Sequence, residues 1–296
     1  MSHRVNAGIA AVAALVLAGA AFHWLRGRSG EAPPAIAAAP MAAAPEKSSD
    51  AAEKAASSGA ASPAPAKKVA APEVDAGPPL RTGEVLEYTA DVAKLSNVAN
   101  LRLQVAERRN FLGKSAWHLQ AFAHTESPLR MVFELDDQFD SYSDAGMLLS
   151  LQYEMHLSER GQKVDSVQRM TTTGKEPAPE NATEARVLPG TRDPLGMMQY
   201  LRNVDWTKTR EVRSPVYDGR KLYDVRAAAA GSSEAVTVPA GSYATNKIEI
   251  RVFNGGEEMK DAHFYLYLDH DPLHTPVLLE AMLPFATARV ALTSRK

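Results

Sequence analysis

Phe264-Tyr265-Leu266-Tyr267-Leu268 and the later Val277-Leu278-Leu279-Glu280-Ala281-Met282-Leu283 are apolar or aromatic at almost every position. In an extended chain successive side chains point to opposite faces, so neither run presents a polar face. A sheet wet on one side would alternate more cleanly. Both faces must therefore be covered, or one must line an apolar interior. A strongly bent sheet curling around a helix satisfies this; two sheets packed as a sandwich are the alternative.

Working outward, the same region is rich in period-two alternation. Leu86, Tyr88, Ala90 and Val92 alternate with Glu87, Thr89 and Asp91, and Leu101, Leu103 and Val105 with Arg102 and Gln104. Trp117, Leu119, Ala121 and Ala123 follow, then Met131, Phe133 and Leu135, Leu149 to Met155, and Ile248 to Val252. Turn signals such as Asp144-Ala145-Gly146 and Asn254-Gly255-Gly256 separate many of these runs. Short alternating segments bounded by turns indicate antiparallel strands, about a dozen of them. One segment differs. Asp193-Pro194 places a preferred N-cap before a proline tolerated in the first helical turn. Leu195, Met198 and Leu201 then fall three apart, with Met197, Tyr200 and Val204 beside them. The expected fold is all-β: a strongly bent antiparallel sheet or open barrel with one short helix in or over its concave side.

The 296 residues carry a formal net charge of −2 and no cysteine. Residues 80–296 alone hold 26 basic and 29 acidic side chains. No basic excess marks a nucleic-acid footprint. The absence of cysteine excludes disulfides, thiolate metal sites, a cysteine nucleophile and a lipid-modified N-terminal cysteine.

Three regions follow. In residues 1–30, Ala7 to Leu25 is uncharged and flanked by Arg4, Arg26 and Arg28. It reads as an export signal cut after Ala18-Gly19-Ala20 or as an uncleaved inner-membrane anchor through residues 7–25; Trp24 before two arginines favours the anchor. Residues 31–79 contain 19 alanines and 9 prolines. With little to bury they read as a disordered tether, reaching about 40 Å as a coil and about 150 Å stretched. Residues 80–296 form a single β-rich exported domain, expected in the periplasm.

Several short motifs recur in a family-like order. They are Gly83-Glu84-x-Leu86-x-Tyr88, Asp140-Ser141-Tyr142, Asp193-Pro194-Leu195 through Tyr200-Leu201-Arg202, Val238-Pro239-Ala240-Gly241-Ser242-Tyr243, and Asp269-x-Asp271-Pro272-x-x-x-Pro276-Val277 leading to Leu283-Pro284-Phe285. In this the chain resembles the exported bacterial family of unknown function numbered thirty-one-oh-eight. The resemblance implies an envelope location and a curved antiparallel sheet, and more distantly it is similar to the periplasmic lipoprotein carriers whose half-open barrels hold acyl chains. It brings no reaction and no functional residues to carry over.

Signatures of common chemistries are missing: no nucleophile elbow, phosphate loop, dinucleotide fingerprint or His-Glu-x-x-His. Asp269-His270-Asp271-x-x-His274 holds metal-ligand types, but also reads as a polar turn fixed by Pro272 and Pro276. Asp136, Asp137, Asp140 and Asp144 suit calcium or a glycosidase pair, but equally suit turns. His118 and His124 sit on one face about 20 Å apart, too far for a shared metal.

The leading expectation is a non-enzymatic envelope protein, without a cofactor, that binds an apolar or lipid-like ligand. Met197, Met198, Tyr200 and Leu201 would form a mobile plug, methionine suiting varied apolar partners. Trp117, Phe122, Tyr265 and Tyr267 would form the walls. The same residues would equally serve as core. A scaffold docking an envelope protein through the sheet edge is the second expectation, and a hydrolase of envelope polymers using Asp136, Asp140, Asp269 and His270 the third.

Overall fold

The structure, a computed structural model, describes residues 80–172, 181–231, 233–283 and 286–296. The N-terminal segment and the tether lie outside the described residues. Among the described residues no helix is long and apolar enough to cross a membrane.

Among the described residues fourteen strands form one sheet, where the alternation pattern gives about a dozen. In chain order they are β1 (Val85–Val92), β2 (Leu95–Phe111), β3 (Lys114–Thr125), β4 (Asp136–Asp144), β5 (Ser150–Glu159), β6 (Gln162–Thr171) and β7 (Thr183–Arg186). After helix α1 (Pro194–Asn203) come β8 (Glu211–Tyr217), β9 (Leu222–Ala229), β10 (Glu234–Val238), β11 (Gly241–Asn254), β12 (Glu257–Asp269), β13 (Pro276–Leu283) and β14 (Ala286–Arg295). The spatial order is β7-β6-β5-β4-β3-β2-β1-β14-β13-β12-β11-β9-β8, with β10 paired to β11. All pairings are antiparallel except β6–β7.

The helix reveals the curl. α1 packs against β3, β4 and β8, and β3 and β8 stand eight strand-steps apart in the sheet. Laid flat, that separation would be about 38 Å, whereas a ten-residue helix is about 15 Å long. The sheet therefore bends around the helix. Beta-bulges at Val105/Glu107 and Glu87/Tyr88 supply part of the bend. Among the described residues the sheet does not close by strand pairing. Instead Thr191-Arg192 spans the seam: Ser150 N–H donates to Thr191 O at 3.2 Å, Arg192 N–H to Pro215 O at 3.0 Å, and Tyr217 N–H to Arg192 O at 2.8 Å.

Directly opposed residues share a face, so the helix-facing side can be followed around the sheet. Ser141 bonds to the helix cap and is opposed by Leu119 and Tyr153. The concave face then continues through Val105, Leu103 and Leu86 to Leu292, Leu279, Leu266 and Ile248, all buried. The convex face is covered too where the sequence has its doubly apolar runs. Tyr267 and Leu278 oppose each other there and are both buried, and β10 packs against β13 and β14.

Candidate functional site

Asp193 is the N-cap of α1, and its side chain accepts from Gly196 N–H at 2.8 Å. It is completely buried. Its other oxygen accepts from the Ser141 hydroxyl at 2.6 Å and from Ser150, tying the start of the helix to β4 and β5. Burial pushes the Asp193 carboxyl up, opposed by the two serines and the helix amides.

The far end of the helix is held by an ion pair. Arg202 and Glu84 meet side by side at 2.9 Å through both guanidinium nitrogens, with side-chain exposures of 0% and 2%. Arg202 also donates to Gln199 Oε1 at 2.7 Å and to Leu273 O at 3.0 Å, so four of the five N–H donors of its fork are used. His274 Nδ1 lies 2.5 Å from Arg202 O, and the Trp206 indole donates to Leu201 O at 2.9 Å. Beside the helix, the Arg192 guanidinium sits 3.7 Å over the Tyr200 ring and donates to Ser214 Oγ and Met147 O.

Four of the five motifs that carried the family resemblance thus converge in space. Gly83-Glu84, Asp140-Ser141, Asp193 through Arg202 and the Asp269–Pro276 turn all meet at the ends of this one helix. Glu84, Ser141, Ser150 and Arg202 were not among the expected site residues. The signal that could have found two of them was a charge inside an apolar motif: Glu84 before Leu86, and Arg202 on the apolar helix.

Of the expected plug, Met197 and Leu201 are buried, while Met198 and Tyr200 are half-buried and pack on the core. Both ends of this segment are tied into the sheet, at Asp193 by Ser141 and Ser150 and at Arg202 by Glu84. The expected walls are split. Trp117 lies on the concave side, opposed by Ser143, under the Arg108 guanidinium at 5.5 Å. Phe122 opposes Arg102 on the convex side. Tyr265 and Tyr267 are convex as well, on the face opposite Leu266. There Lys247 Nζ lies 4.6 Å and 5.3 Å from their ring centres, and the Tyr267 hydroxyl donates to Glu280 at 2.9 Å.

The other candidate clusters are dispersed. Asp271 accepts from Thr275 Oγ1 at 2.8 Å and from Arg295, and His270 Nε2 lies 3.2 Å from Asn246 Oδ1. With His274 at Arg202 O, this segment is the polar turn of the alternative reading. In the acidic run, Asp136 binds Arg130, Asp144 accepts three loop amides, and Asp140 accepts from His118 at 2.6 Å and from Gln120 and Gln138 at 2.8 Å. Those side-chain donors hold the Asp140 carboxyl low despite its burial. Asp137 faces the other way. Among the described residues no three His, Asp or Glu side chains gather as a metal set.

The family model described as "Protein of unknown function (DUF3108)" matches residues 87–293. No curated protein matches. Among solved structures, the chain is similar to a beta-barrel-like protein of the domain of unknown function DUF1849 from Brucella abortus, with a TM-score of 0.48 and 12% identity over 73% of this chain and 97% of that one. It is also similar to a candidate lipoprotein from Parabacteroides distasonis, with a TM-score of 0.36, 15% identity, and 74% and 97% coverage. A candidate exported protein with a YmcC-like fold from Bacteroides fragilis gives a TM-score of 0.32 and 10% identity over 73% and 96%.

Proposed function

The chain belongs to the DUF3108 family, and from that footing we propose that it is a non-enzymatic binding protein of the cell envelope whose bent sheet holds an apolar or amphipathic guest, such as a lipid or an acylated molecule. Export rests on the sequence of residues 1–30. Residues 7–25 would tether the domain to the inner membrane, or be removed to release it into the periplasm.

One observation carries the guest: the concave face away from the helix is paved with small apolar residues. Ala90 opposes Ala99, Ala281 opposes Ala288, and Val92 opposes Ala288, with Ala123 two strands along. The helix end carries larger side chains instead: Leu86, Trp117, Leu119 and Leu292. Small barrels use such gradation to fit their taper; these alanines are themselves buried in the core, at 0–8% exposure, so a guest chain would have to make room at the small end by displacing side chains packed there. On the β5 side that room is taken, because the β8–β9 turn at Gly219 lies on Tyr153 and Met155. With the helix end fastened, a guest would enter at the opposite rim. That rim displays Leu95, Met131, Val132 and Met282, at 53%, 84%, 65% and 40% exposure, a grouping that favours an apolar partner.

Edge docking, the scaffold reading, has less support. The edge strand β7 has four residues, and β8 carries Pro215 and is bridged by Arg192; such edges resist strand addition. The hydrolase reading lacks a constellation, since Asp136, Asp140 and the hydrogen-bonded neighbours Asp269 and His270 sit in three separate networks.

Delipidated full-length protein titrated with cis-parinaric acid tests the proposal. Saturable binding is expected, weakened at least tenfold by Ala90→Phe or Ala281→Phe and unchanged by Lys208→Ala, with melting curves confirming that each variant folds. Binding that ignores both phenylalanine variants, or no binding at all, would remove the internal guest.

A further inference from the structure

The convex face carries a second, chemically different recess. It has a volume of about 530 Å³ and is lined by Glu87, Asn100, Arg102, Phe122, His124 and Thr293, over a floor at Tyr88 and Leu101. That volume falls within the ordinary range of small-molecule sites, roughly 300–1,000 Å³. The side chains stand in two cross-strand rows. Glu87 opposes Arg102, and Arg102 opposes Phe122; Asn100 opposes His124. The rows are two residues apart, about 7 Å, and the recess runs across β14, β1, β2 and β3, about 14 Å.

Its polar groups are set in place and partly unused. Glu126 Oε1 accepts from Asn100 Nδ2 at 2.7 Å and lies 2.8 Å from His124 Nε2. Asn100 Oδ1 and His124 Nδ1 have no hydrogen-bond partner among the described residues, and both side chains line the recess. Arg102 lies 5.6 Å over the Phe122 ring and donates to Gln104 at 2.7 Å, with no carboxylate within ion-pair distance among the described residues. Glu87 accepts from Ser294 at 2.5 Å and lies 3.7 Å from Lys296. With the charges that touch its lining included, Glu87 and Glu126 balance Arg102 and Lys296, so the recess has no excess positive charge to hold a phosphate or other strong anion.

The geometry points to a neutral saccharide chain as its ligand. A carboxylate, a guanidinium, an amide and an imidazole are planar groups able to bond adjacent hydroxyls in pairs. Phe122 contributes aromatic surface to the recess, on which the C–H face of a sugar ring can pack, and the elongated recess suits a short oligosaccharide rather than a single compact molecule. The site lies on the face opposite the proposed internal guest and stands independently of it.

Isothermal titration of the full chain with triacetylchitotriose and with maltotriose tests this. Sub-millimolar binding of one of them is expected, weakened at least tenfold by Arg102→Ala and by Phe122→Ala, each with a wild-type melting temperature. Glu126→Ala should weaken it less, because it only positions Asn100 and His124, and parinaric acid binding should be unaffected by any of the three. Absence of heat with both sugars, or equal affinity in Arg102→Ala and Phe122→Ala, overturns the assignment. So does competition for the sugar by phosphatidylglycerol vesicles, which would make the recess a lipid-headgroup site.

Discussion

At Gly219 the backbone has φ of +92°, and a Cβ there would fall 2.7 Å from Met155 Sδ and closer still to its methyl carbon. The left-handed conformation disfavours a side chain, and a Cβ would also push aside the flexible end of Met155. Gly219→Ala is therefore expected to destabilise the protein by about 1–3 kcal/mol, read as a lower urea midpoint at constant m; an unchanged midpoint would mean that the turn does not rest on β5. Asp137 makes a second, pH-dependent prediction. Burial pushes its carboxyl up to about 7, with Glu159 and Asp136 adding to the rise and the Ser158 amide opposing it. Asp218 is likewise pushed up to about 6 by burial, against the Lys221 and Arg220 amides. A carboxyl raised in the folded state binds its proton more tightly there than in the unfolded chain. Its contribution is complete below the unfolded value of about 4 and is lost as pH rises through 6 to 7. Carboxyls held low, such as Asp140 and Asp271, act in the opposite sense and fail in acid. The melting temperature should accordingly peak near about pH 5 and fall toward pH 8. Asp137→Asn should flatten that fall and be the more stable protein at pH 8; a wild-type curve that rises between pH 5 and 8 would refute the assignment.

The helix is held by what its two ends bury rather than by its length. Arg202→Met would leave Glu84 charged, buried and unpaired, at a cost of about 3–5 kcal/mol. Adding Glu84→Leu removes the orphaned charge and should restore most of that loss, as apolar replacements of buried ion pairs often do. Denaturant unfolding of the two singles and the double would show it, and an additive double variant would mean that the pair is not coupled. This element also marks how far the sequence could be read. Asp193-Pro194 announced the helix start, because a cap and a proline act locally, and the long strands were visible because one face of each is wet. The bend of the doubly apolar β12 and β13 was legible in the same way. The partners of Glu84 and Arg202 were not, since 118 positions separate them and no local preference encodes such a contact. The expected wall failed for a simpler reason. Trp117 and Phe122 are five apart on one strand, an odd number, so the pleat itself sends them to opposite faces. Tyr265 and Tyr267 share a face, but which face was decided only by the pairing of Leu266 with Leu279 and Ile248.

On the scale of the molecule, the first and last strands of the described residues lie at the centre of the sheet. β1 pairs with both β2 and β14, and from there the order runs outward to β7 on one side and β8 on the other. Contacts joining the ends are among the most distant in sequence: Tyr88 to Pro276, and Thr293 to Glu87. A sheet seeded by such pairings must close a long loop before its middle exists, and the helix and the Thr191-Arg192 seam then fasten its two wings. The family match spans 87–293, yet that interval omits Glu84, which pairs with Arg202, and Arg295, which binds Asp271 and Thr275. It also removes the first paired residues of β1 and the last of β14, Leu86 with Arg295. A chain of residues 80–296 is therefore expected to unfold in one cooperative transition, with near-ultraviolet dichroism of packed aromatics. A chain trimmed to 87–293 should lose both, because the cut exposes the unpaired Arg202 and shortens the two central strands rather than the edges. Should the trimmed chain melt within a few degrees of the longer one, neither the buried pair nor the central position of the termini would be holding the fold.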